Sequence, residues 1–245
     1  MYSQEEVSRI LNRFKDNTTF ISAFLTTCYT GMRTGEVFAL TWEDIDLDNR
    51  IIRIGKTVYS KIKNKDGRWY LGTTKTEESD RIVYICDTLY DVLIDFQKIQ
   101  NNNKNIFGKK YKNYFLKEVK NKFGKIVEYQ IIAKKNNNKI NLVFTKEDGT
   151  YLGTDIIKYP FKVIHKELGI ENCRFYDLRG SFATRSLRSG VEIKDVANNL
   201  GHKRIETTEN YYIFSSIENL KNVTETFEKN FQILDDNLYF NKEKR

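Results

Sequence analysis

Four short stretches of this 245-residue chain gather side chains that could handle an anion. Gly31-Met32-Arg33-Thr34-Gly35-Glu36 puts an arginine at the start of a helix, directly after an apolar segment. Lys75 lies in Thr73-Thr74-Lys75-Thr76-Glu77-Glu78-Ser79-Asp80-Arg81, between two segments that read as strands, and is expected at a hairpin tip. Tyr176-Asp177-Leu178-Arg179 opens a helix, where backbone N–H groups without intrahelical partners favour negative charge. Leu200-Gly201-His202 ends another helix, and Thr207-Thr208-Glu209-Asn210-Tyr211-Tyr212 follows within one short segment. Three of the stretches also have a plain reading: a surface arginine, an exposed hairpin lysine and, in the last, a structural histidine behind a helix cap with paired tyrosines that serve as packing aromatics.

The elements that must position these residues follow from periodicity. Pro160 is the only proline and 30% of residues are charged, so a mainly α protein with a small antiparallel β-sheet, an α+β class, is expected. Ser3 and Glu6 form a capping box ahead of Val7, Ile10, Leu11 and Phe14. The segment over about 19–29 lacks a polar face, stops at Gly31 and belongs at the domain centre. A short helix over 34–40 and a turn over 42–49 come next. Residues 51–54, 69–71 and 81–85 read as strands, and a helix over 87–100 follows. From about 101 to 140 the chain turns rich in Asn and Lys and reads as an insertion with a β-hairpin around 125–133. Helices are expected again over 155–168, 177–188, 192–200 and 205–214. A last amphipathic helix carries Ile217, Leu220, Val223, Phe227, Phe231 and Leu234.

Composition narrows the function. Lys plus Arg outnumber Asp plus Glu by 41 to 33, a net +8 that favours a polyanionic partner. No apolar run approaches the ~20 residues needed to cross a bilayer, and the N-terminus reads as an amphipathic helix, not a signal peptide. Cys28, Cys86 and Cys173 are scattered and odd in number, so no disulfide framework is implied and a cytoplasmic setting is expected. His165 and His202 lie far from each other and from any CxxC, which argues against zinc. The stretch Asp44 to Asn49 looks like a calcium loop but lacks glycine at its sixth position and has Gly55 where glutamate belongs. Gly55-Lys56-Thr57 could end a phosphate loop, yet Arg50 stands where the first glycine is required. Neither metal nor cofactor is expected.

Taken in order, GMRTGEVFALTWEDIDL, KTEESDRIVYI, YDLRGSFATRSLRSGVEIKDVANNLGH and IETTENYY resemble the tyrosine recombinase (phage-type integrase) family, over nearly the whole chain apart from about 101–140. The resemblance implies that family's catalytic-domain fold. It implies metal- and ATP-independent cleavage and rejoining of DNA through a 3′-phosphotyrosyl intermediate, to integrate or excise a mobile element. It places the first catalytic arginine on Arg33 with Glu36 in support, the hairpin lysine on Lys75, the second arginine on Arg179 and the histidine on His202. The family usually has histidine or lysine three residues before the second arginine; here Tyr176 stands there, a phenol in place of a cation. The nucleophile falls on Tyr212, with Tyr211 as the alternative. Lys203, Arg204, Arg174, Arg185, Arg188 and Lys194 surround these motifs and would contact the DNA backbone.

The resemblance further implies a catalytic domain over 1–216 and a C-terminal helix and tail over 217–245 that packs on a neighbouring protomer, giving a dimer or tetramer on double-stranded DNA. Relatives usually carry an N-terminal DNA-binding domain; this chain starts almost at the catalytic motifs and reads as shortened or as a naturally short member. A bacterial cytoplasm, at the nucleoid, is the expected setting, and the Lys-, Asn- and Ile-rich composition points to an AT-rich genome. Two other functions fit the same resemblance: a non-catalytic DNA-binding regulator, favoured by Tyr176, and a type IB topoisomerase.

Overall fold

The computed structural model describes residues 2–64, 67–73, 80–202, 204 and 206–212. In chain order its α-helices are α1 (Gln4–Arg13), α2 (Thr18–Thr30), α3 (Thr34–Val37), α4 (Asp87–Phe107), α5 (Lys158–Glu167), α6 (Asp177–Arg188), α7 (Ile193–Leu200) and α8 (Glu206–Tyr212). The expected capping box opens α1, with Ser3 Oγ accepting from the Glu6 N–H at 3.0 Å and the Glu6 carboxylate from the Ser3 N–H at 2.7 Å. The central helix is α2, capped by the Asn17 side chain and closed by Gly31 in the left-handed region. Its buried hydroxyls donate four residues back, Thr26 to Ser22, Thr27 to Ala23 and Thr30 to Thr26, so polar groups sit satisfied inside the core. Around α2 pack α4 and α6, with Phe20, Phe24, Phe38, Leu89, Phe144 and Ile164 in the main core. A small second core of Ala183, Leu187, Val196 and Leu200 joins α6 to α7.

Two antiparallel sheets replace the single one that the sequence suggests. One has the order β1 (Ile45–Asp46), β2 (Ile51–Ile54), β5 (Arg81–Tyr84). The other has the order β3 (Lys56–Asn64), β4 (Gly67–Thr73), β7 (Ile126–Ile132), β6 (Tyr114–Lys120), β8 (Lys139–Ile140). Strand β3 escaped the sequence reading because its lysines resemble a charged turn; Val58 is buried on one face, and on the other Tyr59 is half-buried against Glu128 while Lys61 is exposed. The insertion is therefore not an appendage: its strands complete the larger sheet, and the hairpin is centred on 121–125 rather than 125–133. Strands β4 and β5 lie in different sheets, and Lys75, expected at a hairpin tip between strands, lies outside the described residues.

Helix α4 runs to Phe107, past the expected end at 100, through Gln100-Asn101-Asn102-Asn103. A tertiary bond overrides poor local propensity there. The buried Gln100 amide donates to the carbonyls of Leu142 and Val143 and to Thr145 Oγ1, and its oxygen accepts from the Trp42 indole at 2.6 Å. Among the described residues no helix is long and apolar enough to cross a membrane.

Candidate active site

Gly31 draws the site together. Its φ of +67° turns the chain out of α2, and a Cβ there would come within 2.7 Å of both Phe182 and Leu200, so only glycine lets α2, α6 and α7 meet this closely. Arg33 follows at the N-terminus of α3. Its N–H donates to Glu36 at 2.8 Å, and its guanidinium reaches Glu36 Oε1 at 2.9 Å, the Leu200 carbonyl at 3.4 Å and the Gly201 carbonyl at 3.0 Å. Arg179, in the first turn of α6, is fully buried and donates to the carbonyls of Gly31 and Leu200, both at 2.8 Å.

Two guanidiniums from distant parts of the chain thus share one oxygen at the end of α7. Helix C-terminal carbonyls lack intrahelical partners and carry partial negative charge, which is why cations settle there. Among the described residues Arg179 Nε has no hydrogen-bond partner although it is buried. Burial, then repulsion from Arg33, lowers the Arg179 pKa to about 10, so it remains charged at neutral pH.

Arg81 belongs to the same cluster, and the sequence reading did not single it out. Only 7% of its side chain is exposed; it bridges both Glu36 oxygens at 3.1 and 2.8 Å and donates from Nε to the Asn199 carbonyl at 2.8 Å. Burial works to raise the Glu36 pKa, but Arg81 first and Arg33 second outweigh it and hold the carboxyl below its usual range. Arg81 closes the same conspicuous segment as Lys75, yet nothing in the sequence separates a buried cation at a strand start from an ordinary surface one. Three guanidiniums therefore face one carboxylate.

His202 sits just past the Gly201 cap, its Nδ1 2.8 Å from Oγ1 of Thr208. Burial, then the charges of Arg179, Arg33 and Arg81, push its pKa down to about 4, so the ring is neutral at pH 7. Thr208 is fully buried on α8, which packs on α6 and α7. Residues 211 and 212 lie three and four positions further along, one turn on the same helix.

The other predicted residues separate. Tyr176 precedes α6 and stays 47% exposed, with no hydrogen bond from its hydroxyl among the described residues. The negative charge expected at the start of α6 is supplied by Asp177, which accepts from the Arg174 N–H at 2.8 Å and pairs with its guanidinium at 3.1 Å. Arg174 is otherwise exposed, whereas Arg185 donates to the Tyr2 carbonyl at 2.8 Å and helps anchor the N-terminus. Arg188, Lys194 and Arg204 are exposed. Lys203, the side chains of Tyr211 and Tyr212, and residues 217–245 with the expected final helix lie outside the described residues.

Comparison with known proteins places the chain in a family. Residues 2–217 match the phage integrase family. The XerC-like tyrosine recombinase of Caldanaerobacter subterraneus subsp. tengcongensis is 26% identical over 230 residues, 92% of this chain and 53% of that protein. The ICEBs1 integrase of Bacillus subtilis is 23% identical, over 85% of this chain and 48% of that protein. The chain spans about half the length of the curated relatives it matches. In fold it is similar to the Tn1549 transposon integrase in complex with transposon right end DNA (TM-score 0.62, 19% identity, 91% of this chain and 63% of that one). It is likewise similar to the XerA recombinase (TM-score 0.58, 19% identity, 95% and 63%). With the family matched across nearly all of its length and the two arginines and the histidine meeting at one helix end, the chain belongs to the phage integrase family of tyrosine recombinases.

Proposed function

We propose that this chain is the strand-cleaving part of a site-specific recombinase that integrates or excises a mobile element. One observation carries the proposal: Arg33 and Arg179 converge on the Leu200 carbonyl beside His202, with Arg179 Nε left without a partner among the described residues. A phosphodiester offers stronger acceptors than a carbonyl, and guanidiniums suit it because they stay charged and donate in parallel pairs.

In the reaction the hydroxyl of Tyr212, or of Tyr211, attacks the scissile phosphorus. A tyrosyl O–P bond forms at the 3′ side, the P–O5′ bond breaks, and the 5′-oxygen leaves. Charge gathering on the non-bridging oxygens is met by Arg33 and Arg179. His202, neutral at pH 7, takes the phenol proton, and Lys75 supplies a proton to the leaving 5′-oxygen. Religation reverses these steps with a new 5′-hydroxyl, so bond energy is retained without ATP. Double-stranded DNA is the substrate, and two or four copies assemble on it through 217–245, in a bacterial cytoplasm. Arg174, Lys203 and Arg204 hold the DNA backbone.

The test is a nicked suicide duplex carrying an end of the element, incubated in EDTA and read as an SDS-resistant protein–DNA adduct. Wild type forms the adduct, Tyr212→Phe abolishes it and Tyr211→Phe keeps it; the reverse pattern moves the nucleophile to Tyr211. Tight binding without any adduct would favour the regulator reading, for which the loss of a cation at Tyr176 is the supporting observation.

A further inference from the structure

The hairpin of the insertion leaves its sheet at the end on which α3 rests. Gly35 of α3 lies directly on β3, where a Cβ would come within 2.5 Å of Thr57 Oγ1 and 2.9 Å of the Val58 carbonyl. Thr57 pairs with Gly72 of β4, and Leu71 of β4 pairs with Tyr129 of β7. Following β4 forward, toward Thr73, therefore means following β7 backward, toward Ile126 and the turn at 121–125. Strand spacing and rise put the tip of that turn on the order of 20 Å from Gly35, about six base pairs of duplex.

The turn is rigidly built. Asn121 Oδ1 accepts from the N–H groups of Phe123 and Lys125 at 2.9 and 3.1 Å, the Asn121 N–H donates to the Lys125 carbonyl at 2.9 Å, and Gly124 takes a φ of +78°. This holds Phe123 outward, 81% exposed, with Lys122 Nζ 5.0 Å from its ring centroid. Lys120 and Lys125 flank it, Lys120 being 3.2 Å from Glu118, and no acidic residue occurs from 119 to 127. An aromatic ring fixed in water among lysines does nothing for the core; it suits a polyanion with apolar edges.

We propose that this tip is a second DNA-binding site, gripping duplex about half a turn from the scissile phosphate, with the lysines on phosphates and Phe123 against sugar or base edges. The inference rests on duplex DNA being the substrate.

The test is fluorescence anisotropy of the chain with a labelled element-end duplex across a salt series, beside the suicide-duplex adduct assay. Lys122→Gln/Lys125→Gln is expected to weaken binding about tenfold and to reduce the slope of log Kd against log salt by about 2, since each phosphate contact contributes ~0.9. Phe123→Ala is expected to weaken binding about threefold with the slope unchanged. All three side chains are exposed, so thermal unfolding should match wild type and serve as the control. Variants that match wild type in both Kd and slope would overturn the proposal while leaving the cleavage reading intact. A change seen only in self-association, by sedimentation, would assign the tip to protein contact and overturn it too. A wild-type chain that binds no duplex would remove both readings.

Discussion

Glu36 and Glu128 are both buried carboxylates, and their surroundings differ in a way that separates scaffold from site. Glu128, on β7, accepts from Tyr59 Oη and Lys61 Nζ across the larger sheet, and Lys61 keeps half of its side chain in water above the Tyr70 ring. One cation answers one carboxylate. Glu36 meets two guanidiniums directly, and a third, Arg179, shares the Leu200 carbonyl with Arg33 while its Nε has no partner among the described residues. Burial alone does not distinguish the two clusters. Surplus positive charge and an unsatisfied donor do, because both are costly in a folded protein unless an anion arrives to relieve them.

The largest expected effect tests that surplus. Arg179→Gln keeps a donor and removes the charge, and should slow adduct formation on a suicide duplex about 10²- to 10³-fold, the range for a lost transition-state donor. A loss below tenfold would break the comparison, since Arg179 would then be holding helix ends together and little else.

Glu36→Gln tests the opposite role. It leaves Arg81 buried without a carboxylate and lets three guanidiniums repel one another, so stability by chemical denaturation should fall by about 3 kcal/mol or more. Arg81→Lys sharpens the same point. An ammonium cannot bridge both Glu36 oxygens and the Asn199 carbonyl together, so adduct formation should slow about tenfold while duplex affinity stays within about twofold. A parallel loss of affinity would place Arg81 on DNA instead.

These variants also mark what the sequence made legible. Arg33, Arg179 and His202 announce themselves through motifs, and the capping box and Gly31 fix helix ends by local chemistry that a sequence carries openly. Arg81 and Gln100 do not, because each takes its role from carbonyls more than 40 residues away. The same limit explains why β3 reads as a charged turn in the sequence and why the Asn- and Lys-rich stretch reads as an insertion: their pairing is tertiary, and lysine on the outer face of a strand hides the alternation.

A smaller effect follows acidification. His202 is held near a pKa of about 4, against about 6.5 when unfolded, so between those values the unfolded chain binds more protons. This contribution to stability is present above about pH 6.5 and is lost as pH falls through 4. His202→Gln should flatten that part of the stability–pH curve, measured by thermal unfolding; an unchanged curve would mean that the ring is not the group titrating there.

The smallest effect completes the contrast. Glu128→Gln leaves Tyr59 with an acceptor and lets Lys61 turn to water, so it should lower stability by only about 2 kcal/mol, within the range of a hydrogen bond to a charged group. Adduct formation should stay within about twofold of wild type, because this carboxylate lies in the sheet and touches none of the residues that converge on Leu200. A rate loss as large as that of Arg81→Lys would mean that the insertion sheet positions the catalytic segments directly, and the two carboxylates would then belong to one functional unit.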